Sequence, residues 1–222
     1  MKQVEGIWLP DGDTHFEAHL RKGKLFNGAG TYQYVKIEMA LAECEDRRGL
    51  AVDVGAHVGL WTRVLAYHFK SVVAFEPVPL LVNCWKANCG KILNAELRHV
   101  ALSDGGSDHI GMEPALENSG NCRVYRAEST STLSVAASSL DRQAGLDGLD
   151  FLKIDVEGWE EFVVRGGEQL IRSRKPVVVV EQKPGNAEAY GLRRRGAEEL
   201  LQSWGARKLW ERSGDVCMGF KK

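Results

Sequence analysis

Acidic residues follow most of the apolar segments in this sequence, at the points where a strand would give way to a loop. In chain order they are Asp53, Glu76, Asp104, Asp155, Glu157 and Glu181. A carboxylate at such a position can accept hydrogen bonds from ligand hydroxyls, pair with an ammonium group, or take a proton from a reacting group. The carboxyl ends of parallel strands meet at one edge of an open α/β sheet, so the spacing predicts that these acids share that edge. Lys153 and Lys183 are the nearest cations in the sequence, and Lys153 alternates with Asp155 on one strand face.

A glycine-containing turn links the first of these acids to a helical pattern. The apolar run Leu50–Val54 is followed by Gly55-Ala56-His57-Val58-Gly59 and then by a helical pattern with Trp61, Val64, Leu65 and Tyr67. Glycine allows a backbone to approach a ligand closely, and the start of a helix offers unpaired N–H groups. A strand, a glycine turn and a helix in this order are typical of a cofactor cradle, although such a turn also occurs without a ligand.

The sequence of the turn bears on the kind of cofactor. The dinucleotide pattern G-x-G-x-x-G is absent, and Asp53, two residues before the first glycine, would repel a pyrophosphate. An acid there suits a ligand with an ammonium group, such as the methionine end of S-adenosylmethionine. The next apolar run ends in Glu76 before Pro77. An acid at the tip of the second strand can accept both ribose hydroxyls, which fits adenosyl and nicotinamide cofactors alike.

Length and composition restrict the class of protein. The 222 residues carry a formal net charge of −1, so no global basic field attracts nucleic acid or a membrane. The run Arg193-Arg194-Arg195 is interpreted as a solvated helix start, with an anion contact as the alternative. The five cysteines match no zinc pattern and are predicted to be free thiols in a reducing compartment. The absence of a signal-like or membrane-spanning stretch leads us to expect a soluble, cytoplasmic protein.

The hydrophobic pattern alternates between strands and helices, which predicts one α/β domain over residues 1–222 with a mostly parallel seven-stranded sheet and helices on both faces. The predicted strands are Leu50–Val54, Ser71–Glu76, Glu96–Leu102, Leu149–Asp155, Pro176–Gln182, Ala206–Arg212 and Val216–Phe220, the last two antiparallel. The predicted helices are Tyr32–Arg48, Leu60–Phe69, Leu80–Cys89, a helix that ends near Arg172, and Leu192–Ser203.

Two segments depart from this alternation. Residues 1–31, which include His15, are rich in glycine and predicted to form irregular loops or hairpins rather than a helix. Residues 105–140 interrupt the rhythm with short strands and polar loops, and insertions at the carboxyl edge commonly shape a substrate pocket. The turn at Ser103 and Asp104 is positioned to border an adenine ring, or else is a plain turn.

Five segments together resemble the FkbM-type family of S-adenosylmethionine-dependent methyltransferases. They are VDVGAHVGLWT, AFEP, HVALSD, SSLD and KIDVEGWEEFVVRGG, and in this order they cover about Leu50 to Gln182. The sequence D-V-E-G at Asp155–Gly158 is the most specific of them. The resemblance implies a Rossmann-like class I methyltransferase fold and transfer of a methyl group from S-adenosyl-L-methionine to a hydroxyl oxygen, often on a sugar or a small metabolite.

The resemblance also implies roles for individual residues. The residues expected to hold the methionine part are Asp53, Gly55, Ala56, His57 and Gly59. Glu76, with the adjacent Pro77, is expected at the ribose, and the stretch that contains Ala101, Ser103 and Asp104 at the adenine. Asp155 and Glu157 are expected to face the methyl group and the acceptor. Lys153, which shares a strand face with Asp155, is predicted from its position as a further catalytic residue.

Glu157 is the first candidate for the base that takes the acceptor proton, and Asp155 is the second. The alternative role for Glu157 is to accept N–H bonds at the start of the following helix. Methyl transfer from a sulfonium requires no metal, so no metal site is predicted, although the acids could hold a divalent ion.

The rival functions are a nicotinamide-dependent oxidoreductase and a cofactor-binding protein without catalysis. The missing dinucleotide pattern disfavours the first, and the retained Asp155 and Glu157 disfavour the second. No N-P-P-Y-type motif follows the fourth strand, which disfavours the amine of a nucleic-acid base as acceptor. The expected partner is therefore a small-molecule or sugar hydroxyl, with nucleic acid less favoured, no membrane partner and the oligomeric state left open.

Overall fold

The computed structural model describes residues 1–113, 115, 117–125 and 133–220. The chain begins with two short hairpins on either side of a helix. In order these are β1 (Lys2–Val4) paired with β2 (Ile7–Leu9), α1 (His15–Lys22), and β3 (Leu25–Phe26) paired with β4 (Ala29–Gly30).

The helix α1 shows that the prediction of loops or hairpins without a helix at the N-terminus was wrong. Glycines bound this helix instead of interrupting it: Gly12 precedes it and Gly23 follows its last residue. Asp13 Oδ1 accepts the backbone N–H of Phe16 at 2.8 Å, as a residue that caps a helix does. Phe16 and Leu20 are one turn apart and buried, so the helix packs its apolar face inward.

Strands and helices alternate through the rest of the chain. In chain order they are α2 (Tyr34–Glu43), β5 (Leu50–Val54), α3 (Leu60–His68), β6 (Ser71–Phe75), α4 (Pro79–Cys89), β7 (Ala95–Arg98), β8 (Ala101–Leu102), β9 (His109–Glu113), β10 (Arg123–Tyr125), β11 (Leu133–Ser138), β12 (Leu149–Ile154), α5 (Glu160–Arg165), α6 (Glu168–Arg174), β13 (Val177–Glu181), α7 (Gly196–Ser203), β14 (Ala206–Arg212) and β15 (Asp215–Phe220).

The central sheet has seven strands in the order β14-β15-β13-β12-β5-β6-β7. The strands β13, β12, β5, β6 and β7 run parallel, and β15 is antiparallel to both of its neighbours. The predicted Rossmann-like, mostly parallel seven-stranded sheet is therefore confirmed. Because β5 pairs with β6 on one side and with β12 on the other, the chain reverses its direction of winding next to β5, where α/β folds bind their ligands.

Alternate residues of the central strands pack into two separate cores, one on each face. Val52 of β5 and Leu152 of β12 belong to a core that includes α5 and α7 residues, whereas Ala51 and Phe151 belong to a core with α2 and α3. The sheet is thus covered on both faces, which explains the nearly continuous apolar run in Val177–Glu181.

Two predicted elements are interrupted in the structure. The predicted third strand divides into β7, which joins the central sheet, and β8, which joins a second sheet of order β10-β9-β11-β8. The predicted helix ending near Arg172 divides into α5 and α6 at Gly166-Gly167. A Cβ atom at Gly166 would overlap the carbonyl oxygen of Ser103, so a close backbone approach requires glycine at the break.

Two further expectations concern the cysteines and membrane-spanning helices. All five cysteines are free, as predicted; four are buried and Cys122 is half-buried. Among the described residues, none of the helices combines the length and the apolar character needed to cross a bilayer.

Candidate active site

A cavity of about 320 Å³ lies where β5, β6 and β12 end at the carboxyl edge of the central sheet. Its size falls in the range of small-molecule sites, roughly 300–1,000 Å³. Glycine-loop residues and the segment after β12 form its floor, and two other parts of the chain complete its walls. These are the N-terminal segment, through His15, Phe16 and Tyr32, and the 105–140 insertion, through residues 118–122.

The glycine loop brings its backbone against the loops of neighbouring strands. The N–H groups of Gly55 and Ala56 both donate to the carbonyl oxygen of Phe75 at 3.0 Å. Gly55 has a φ of +72°, and a Cβ atom there would overlap the carbonyl oxygen of Asp155. Only glycine fits both conditions, so Gly55 fixes the distance between the loop and the segment after β12.

Gly59 has a different function from Gly55. Its φ is +91°, and a Cβ atom there would overlap the sulfur of Cys89 on α4. Gly59 does not line the cavity, whereas Ala56 and His57 do. Gly59 therefore allows α3 to pack closely against α4. It affects the glycine loop only through this packing.

Glu76 is the acid that the structure places directly on the cavity wall beside the glycine loop. Its side chain is buried, with Oε2 accepting the N–H of His57 at 2.8 Å and Oε1 accepting that of Val78 at 2.9 Å. Burial raises the pKa of Glu76 to about 7 despite these two donors. Pro77 and Ala101 line the same part of the cavity.

Asp53 does not reach the cavity. It is fully buried, and Thr62 Oγ1 donates to its Oδ2 at 2.7 Å, while Lys153 Nζ lies 3.3 Å from Oδ1. Lys153 Nζ also donates to the carbonyl oxygen of Gly55 at 2.7 Å and lines the cavity. The contact predicted between Asp53 and the methionine part is thus not what the geometry shows: Asp53 holds Lys153, which in turn holds the glycine loop.

The neighbouring acids keep the ammonium group of Lys153 charged. Burial by itself lowers the pKa of Lys153, but the negative charges of Asp53 and Asp155 outweigh it and leave the pKa raised. Asp155 Oδ2 lies 3.9 Å from Lys153 Nζ. The lysine is therefore a buried cation that joins β5, the glycine loop and the segment after β12.

Of the stretch predicted to border the adenine, Ala101 and Leu102 line the cavity, whereas Ser103 and Asp104 do not. Asp104 is exposed, and its Oδ1 accepts the N–H of Gly106 at 3.0 Å within its own turn. Ser103 Oγ accepts the indole N–H of Trp159 at 3.1 Å. The contact between Asp104 and the cofactor therefore stays a prediction, while Ser103 fixes Trp159, which does line the cavity.

Three carboxylates meet at the other end of the cavity. One oxygen from each of Asp155, Glu157 and Glu181 lies within 4.8 Å of the others. Asn186 Nδ2 donates to Glu157 Oε2 at 2.9 Å, and Lys183 Nζ lies 2.6 Å from Glu181 Oε1. Burial and the neighbouring charge of Asp155 raise the pKa of Glu157 to about 7, and the same causes raise the pKa of Glu181. An acid with such a pKa exchanges protons near neutral pH.

The backbone of the D-V-E-G segment aims Glu157 at this cluster. Glu157 has a φ of +55° and Gly158 a φ of +105°, and a Cβ atom at Gly158 would overlap the carbonyl of Asn186. The N–H acceptor next to the following helix is Glu160 and not Glu157: its Oε1 accepts the N–H groups of Val156 and Gly158, in the turn before the helix, each at 3.0 Å. Glu157 is thereby left facing the cavity.

Sequence reasoning missed a buried network that closes the cavity from the outside. Asp13 Oδ2 accepts the hydroxyl and the backbone N–H of Ser119, and Ser119 Oγ lies 2.6 Å from Nε2 of His57. The ring of Phe16 lies 4.4 Å from the His57 ring. Burial lowers the pKa of His57 to about 4, so its ring is neutral at neutral pH. The spacing of Asp13 and Phe16 signals a helix cap, but nothing local indicates Ser119.

Glu160, the first residue of α5, provides a test of how burial changes the pKa of a carboxyl group beside the site. Glu160→Gln is expected to gain stability relative to wild type as pH rises from about 5 to about 8. Burial raises the pKa of Glu160 to about 7, so the folded state holds this proton more tightly, and wild type loses stability as the carboxyl ionises between its ordinary pKa and the raised one. Glutamine keeps an accepting oxygen and does not titrate.

Urea unfolding of both proteins at the two pH values measures this difference, with the exposed Glu38→Gln as the matched control. Comparison with wild type removes the opposing effect of His15, His57 and His68, whose pKa values are lowered by partial burial in both proteins. A difference between Glu160→Gln and wild type that stays constant with pH would show that Glu160 ionises normally in the folded protein.

The fold and the site define the class of this protein. A Rossmann-like sheet with a glycine-loop cradle after its first parallel strand, and an acid on the cavity wall after the second, is the arrangement of a class I S-adenosylmethionine-dependent methyltransferase. Residues 53–205, more than half of the chain, match the family described as the methyltransferase FkbM domain. The chain belongs to the FkbM methyltransferase family.

Solved structures with a similar fold are distant in sequence. The FkbM methyltransferase from Methylobacillus flagellatus KT is 16% identical with a TM-score of 0.46; the match covers 79% of this chain and only 44% of that protein. The precorrin-6y C5,15-methyltransferase from Geobacter metallireducens GS-15 is 15% identical over 99% of this chain and 100% of that one, with a TM-score of 0.47.

The O-methyltransferase from Bacillus cereus in complex with SAH is 12% identical over 92% of this chain and 86% of that one, with a TM-score of 0.49. No curated protein matches the chain.

Proposed function

We propose that this methyltransferase transfers the methyl group of S-adenosylmethionine to a hydroxyl oxygen of a sugar or small metabolite, with Glu157 as the base. The observation that carries the proposal is the position of Glu157: a buried carboxylate with a pKa near 7 that lines the cavity beside Asp155. Such a group is ionised often enough at neutral pH to take a hydroxyl proton, and basic enough to keep it.

The residues present fit the cofactor. Gly55 and Ala56 form a cradle without side-chain bulk near Asp155, and the Glu76 oxygens each retain a free lone pair for a ribose hydroxyl. Gly55, Ala56 and His57 would hold the methionine part, Glu76 and Pro77 the ribose, and Ala101 the adenine. When bound, S-adenosylmethionine supplies a methyl group on a positively charged sulfur that leaves as a neutral thioether.

The residues at the other end of the cavity would act on the acceptor. The acceptor oxygen forms its bond to the methyl carbon, and its proton passes to the carboxylate of Glu157. Asn186 and Lys183 restrain Glu157 and Glu181, so the base is held in place before the acceptor enters. Holding the two reactants in line lowers the activation free energy of such a reaction by several kcal/mol. Their freedom of relative motion is already lost on binding, so the reaction step does not have to restrict it.

Calorimetric titration of S-adenosylhomocysteine and of NADH, each into the whole chain, tests the cofactor assignment. We expect S-adenosylhomocysteine to bind and NADH to bind weakly or not at all. Tight binding of NADH alone would replace the methyltransferase with an oxidoreductase.

Glu76→Ala is expected to weaken S-adenosylhomocysteine binding by about 10-fold to 150-fold, the equivalent of about 1.5–3 kcal/mol for hydrogen bonds to a charged group. The reason is the loss of the acceptor at the ribose position. The same calorimetric titration measures it, and the exposed Glu96→Ala is the control. Unchanged affinity in Glu76→Ala would remove Glu76 from the cofactor site.

A further inference from the structure

A second depression, which we call the basic groove, adjoins the cavity on the side of α1 and α2. Its lining includes the aromatic side chains of two tyrosines at or just before the start of α2 and five basic side chains, His19, Lys22, Lys24, Lys36 and Arg212. No aspartate or glutamate lies among the described residues that line it. The groove therefore concentrates positive charge in a protein whose formal net charge is −1.

Three of these cations have no partner of opposite charge in the part of the chain that the structure describes. Lys36 Nζ pairs with Asp215 at 2.5 Å, but Lys22, Lys24 and Arg212 form no ion pair with any described residue. All three are exposed. Lys24 Nζ lies 5.8 Å from the ring centre of Tyr34, a contact that orients it without neutralising it.

The arginine run that the sequence singled out behaves in the opposite way. Arg193 pairs with Glu199 at 2.5 Å, and Arg195 pairs with Glu198 and with Glu211, each at 2.6 Å. Two of the three arginines of that run are thus neutralised by the protein's own acids, and Arg194 donates to the carbonyl oxygen of Gln182. Lys22, Lys24 and Arg212 of the basic groove have no such ion pair with a described residue. Uncompensated like charges repel one another, so an anion that enters the groove removes an unfavourable interaction as well as forming new ones.

The basic groove and the cavity share a wall. Tyr32 and Gln33 line both of them. Gln33 has a φ of +56°, and its Oε1 accepts the indole N–H of Trp61 at 3.0 Å, which ties the shared wall to α3. The ring of His19 lies 5.4 Å from that of Tyr32 at nearly a right angle. A molecule that extends over Tyr32 can therefore contact the cavity with one end and the basic groove with the other.

We propose that the basic groove binds a phosphate or diphosphate group of the methyl acceptor, while the acceptor hydroxyl reaches Glu157 in the cavity. The acceptor class is then a phosphorylated small molecule, such as a sugar phosphate. A phosphate ester carries up to two negative charges and three acceptor oxygens, which matches several unpaired cations, whereas a single carboxylate would neutralise only one. This inference rests on the proposed function, because it concerns the acceptor of the same site.

Calorimetric titration of inorganic pyrophosphate, with saturating S-adenosylhomocysteine present, tests the groove without competition at the cofactor site. We expect pyrophosphate to bind wild type at low salt, and the double charge reversal Lys22→Glu with Lys24→Glu to weaken that binding by about 10-fold to 100-fold. Lys91→Glu, an exposed lysine outside the groove, is the matched control and should bind as wild type does. The neutral pair Lys22→Gln with Lys24→Gln should give an intermediate loss.

The outcomes separate this inference from the proposed function. Failure of S-adenosylhomocysteine to bind wild type would reject the proposed function. If S-adenosylhomocysteine binds but pyrophosphate does not, or if the charge-reversed protein binds pyrophosphate as tightly as Lys91→Glu does, the groove is not a phosphate site. A single-stranded RNA oligonucleotide that binds through the groove when pyrophosphate does not would overturn the small-molecule acceptor in favour of a nucleic acid.

Discussion

Glu157→Gln is expected to lower turnover by about 10²-fold to 10⁴-fold, the range for loss of a positioned general base. Glutamine keeps the size of the side chain and an oxygen to accept from Asn186, but it cannot take a proton. Affinity for S-adenosylhomocysteine should stay near that of wild type, because Glu157 lies at the acceptor end of the cavity. Formation of S-adenosylhomocysteine with a sugar phosphate or a surrogate hydroxyl acceptor measures turnover, and calorimetry measures affinity.

The pH dependence of turnover identifies the base more specifically than the loss of turnover in Glu157→Gln does. A base must be ionised before it can accept a proton, and the raised pKa of Glu157 leaves it partly protonated below about 7. Turnover of wild type should therefore rise with pH up to about 7 and then level off, and this rise should vanish in Glu157→Gln. If the rise persists in Glu157→Gln and vanishes in Asp155→Asn, Asp155 is the base instead.

Thermal stability separates catalysis from a structural role. Glu160, and not Glu157, accepts the N–H groups of the turn before the helix α5, so Glu157→Gln should not lower the melting temperature. The substitution also removes one charge from a cluster of three acids, which favours the folded state. Turnover that survives while the melting temperature falls would contradict the assignment of Glu157 to catalysis.

The sheet could be predicted from the sequence because its strands are short apolar runs separated by helices of the right spacing. The run that became Val177–Glu181 is buried on both faces, so its apolar pattern is unbroken and unambiguous. The division of the third strand could not be predicted in this way. Its second part, Ala101–Leu102, leaves the central sheet to pair with Leu133–Ser138, about thirty residues later, and that pairing has no local signal.

The predictions for the acids at the carboxyl edge were limited in the same way, because strand pairing has no local signal in the sequence. Their positions in the sequence placed Glu76 and Glu157 where the cavity lies, but they also suggested Asp53 and Asp104. Val54, the last residue of β5, lines the cavity, whereas Asp53 lies one residue earlier and is buried against Thr62 and Lys153. The register that sets Asp53 opposite Lys153 belongs to the pairing of β5 with β12, which the sequence of either strand alone does not specify.

The outer wall of the cavity depends on contacts between distant parts of the chain. Asp13 and Ser119 are 106 residues apart, yet their bond joins the N-terminal segment to the insertion directly above His57. Residues such as Asp13 are ordinary helix caps by their local pattern. Their second partner becomes visible only when the fold has brought the two segments together.

Lys153→Met is expected to lower the free energy of unfolding by about 3–5 kcal/mol, the range for removal of one partner of a buried ion pair. Asp53 is fully buried, and without Lys153 the hydroxyl of Thr62 would be the one group of the described residues within hydrogen-bond distance of its charge. The carbonyl oxygen of Gly55 would also lose its donor. Urea unfolding at neutral pH measures the loss, and Lys91→Met, at an exposed lysine, is the control.

The double variant Asp53→Asn with Lys153→Met shows whether the pair accounts for that loss. Removing both charges leaves no buried ion without a partner, so the double variant should be more stable than Lys153→Met, and the two substitutions should be far from additive. If the double variant is less stable than Lys153→Met by the full effect of Asp53→Asn alone, the two residues act independently. Lys153 would then stabilise the site through the carbonyl oxygen of Gly55, and the buried charge of Asp53 would be balanced by Thr62 and its other surroundings.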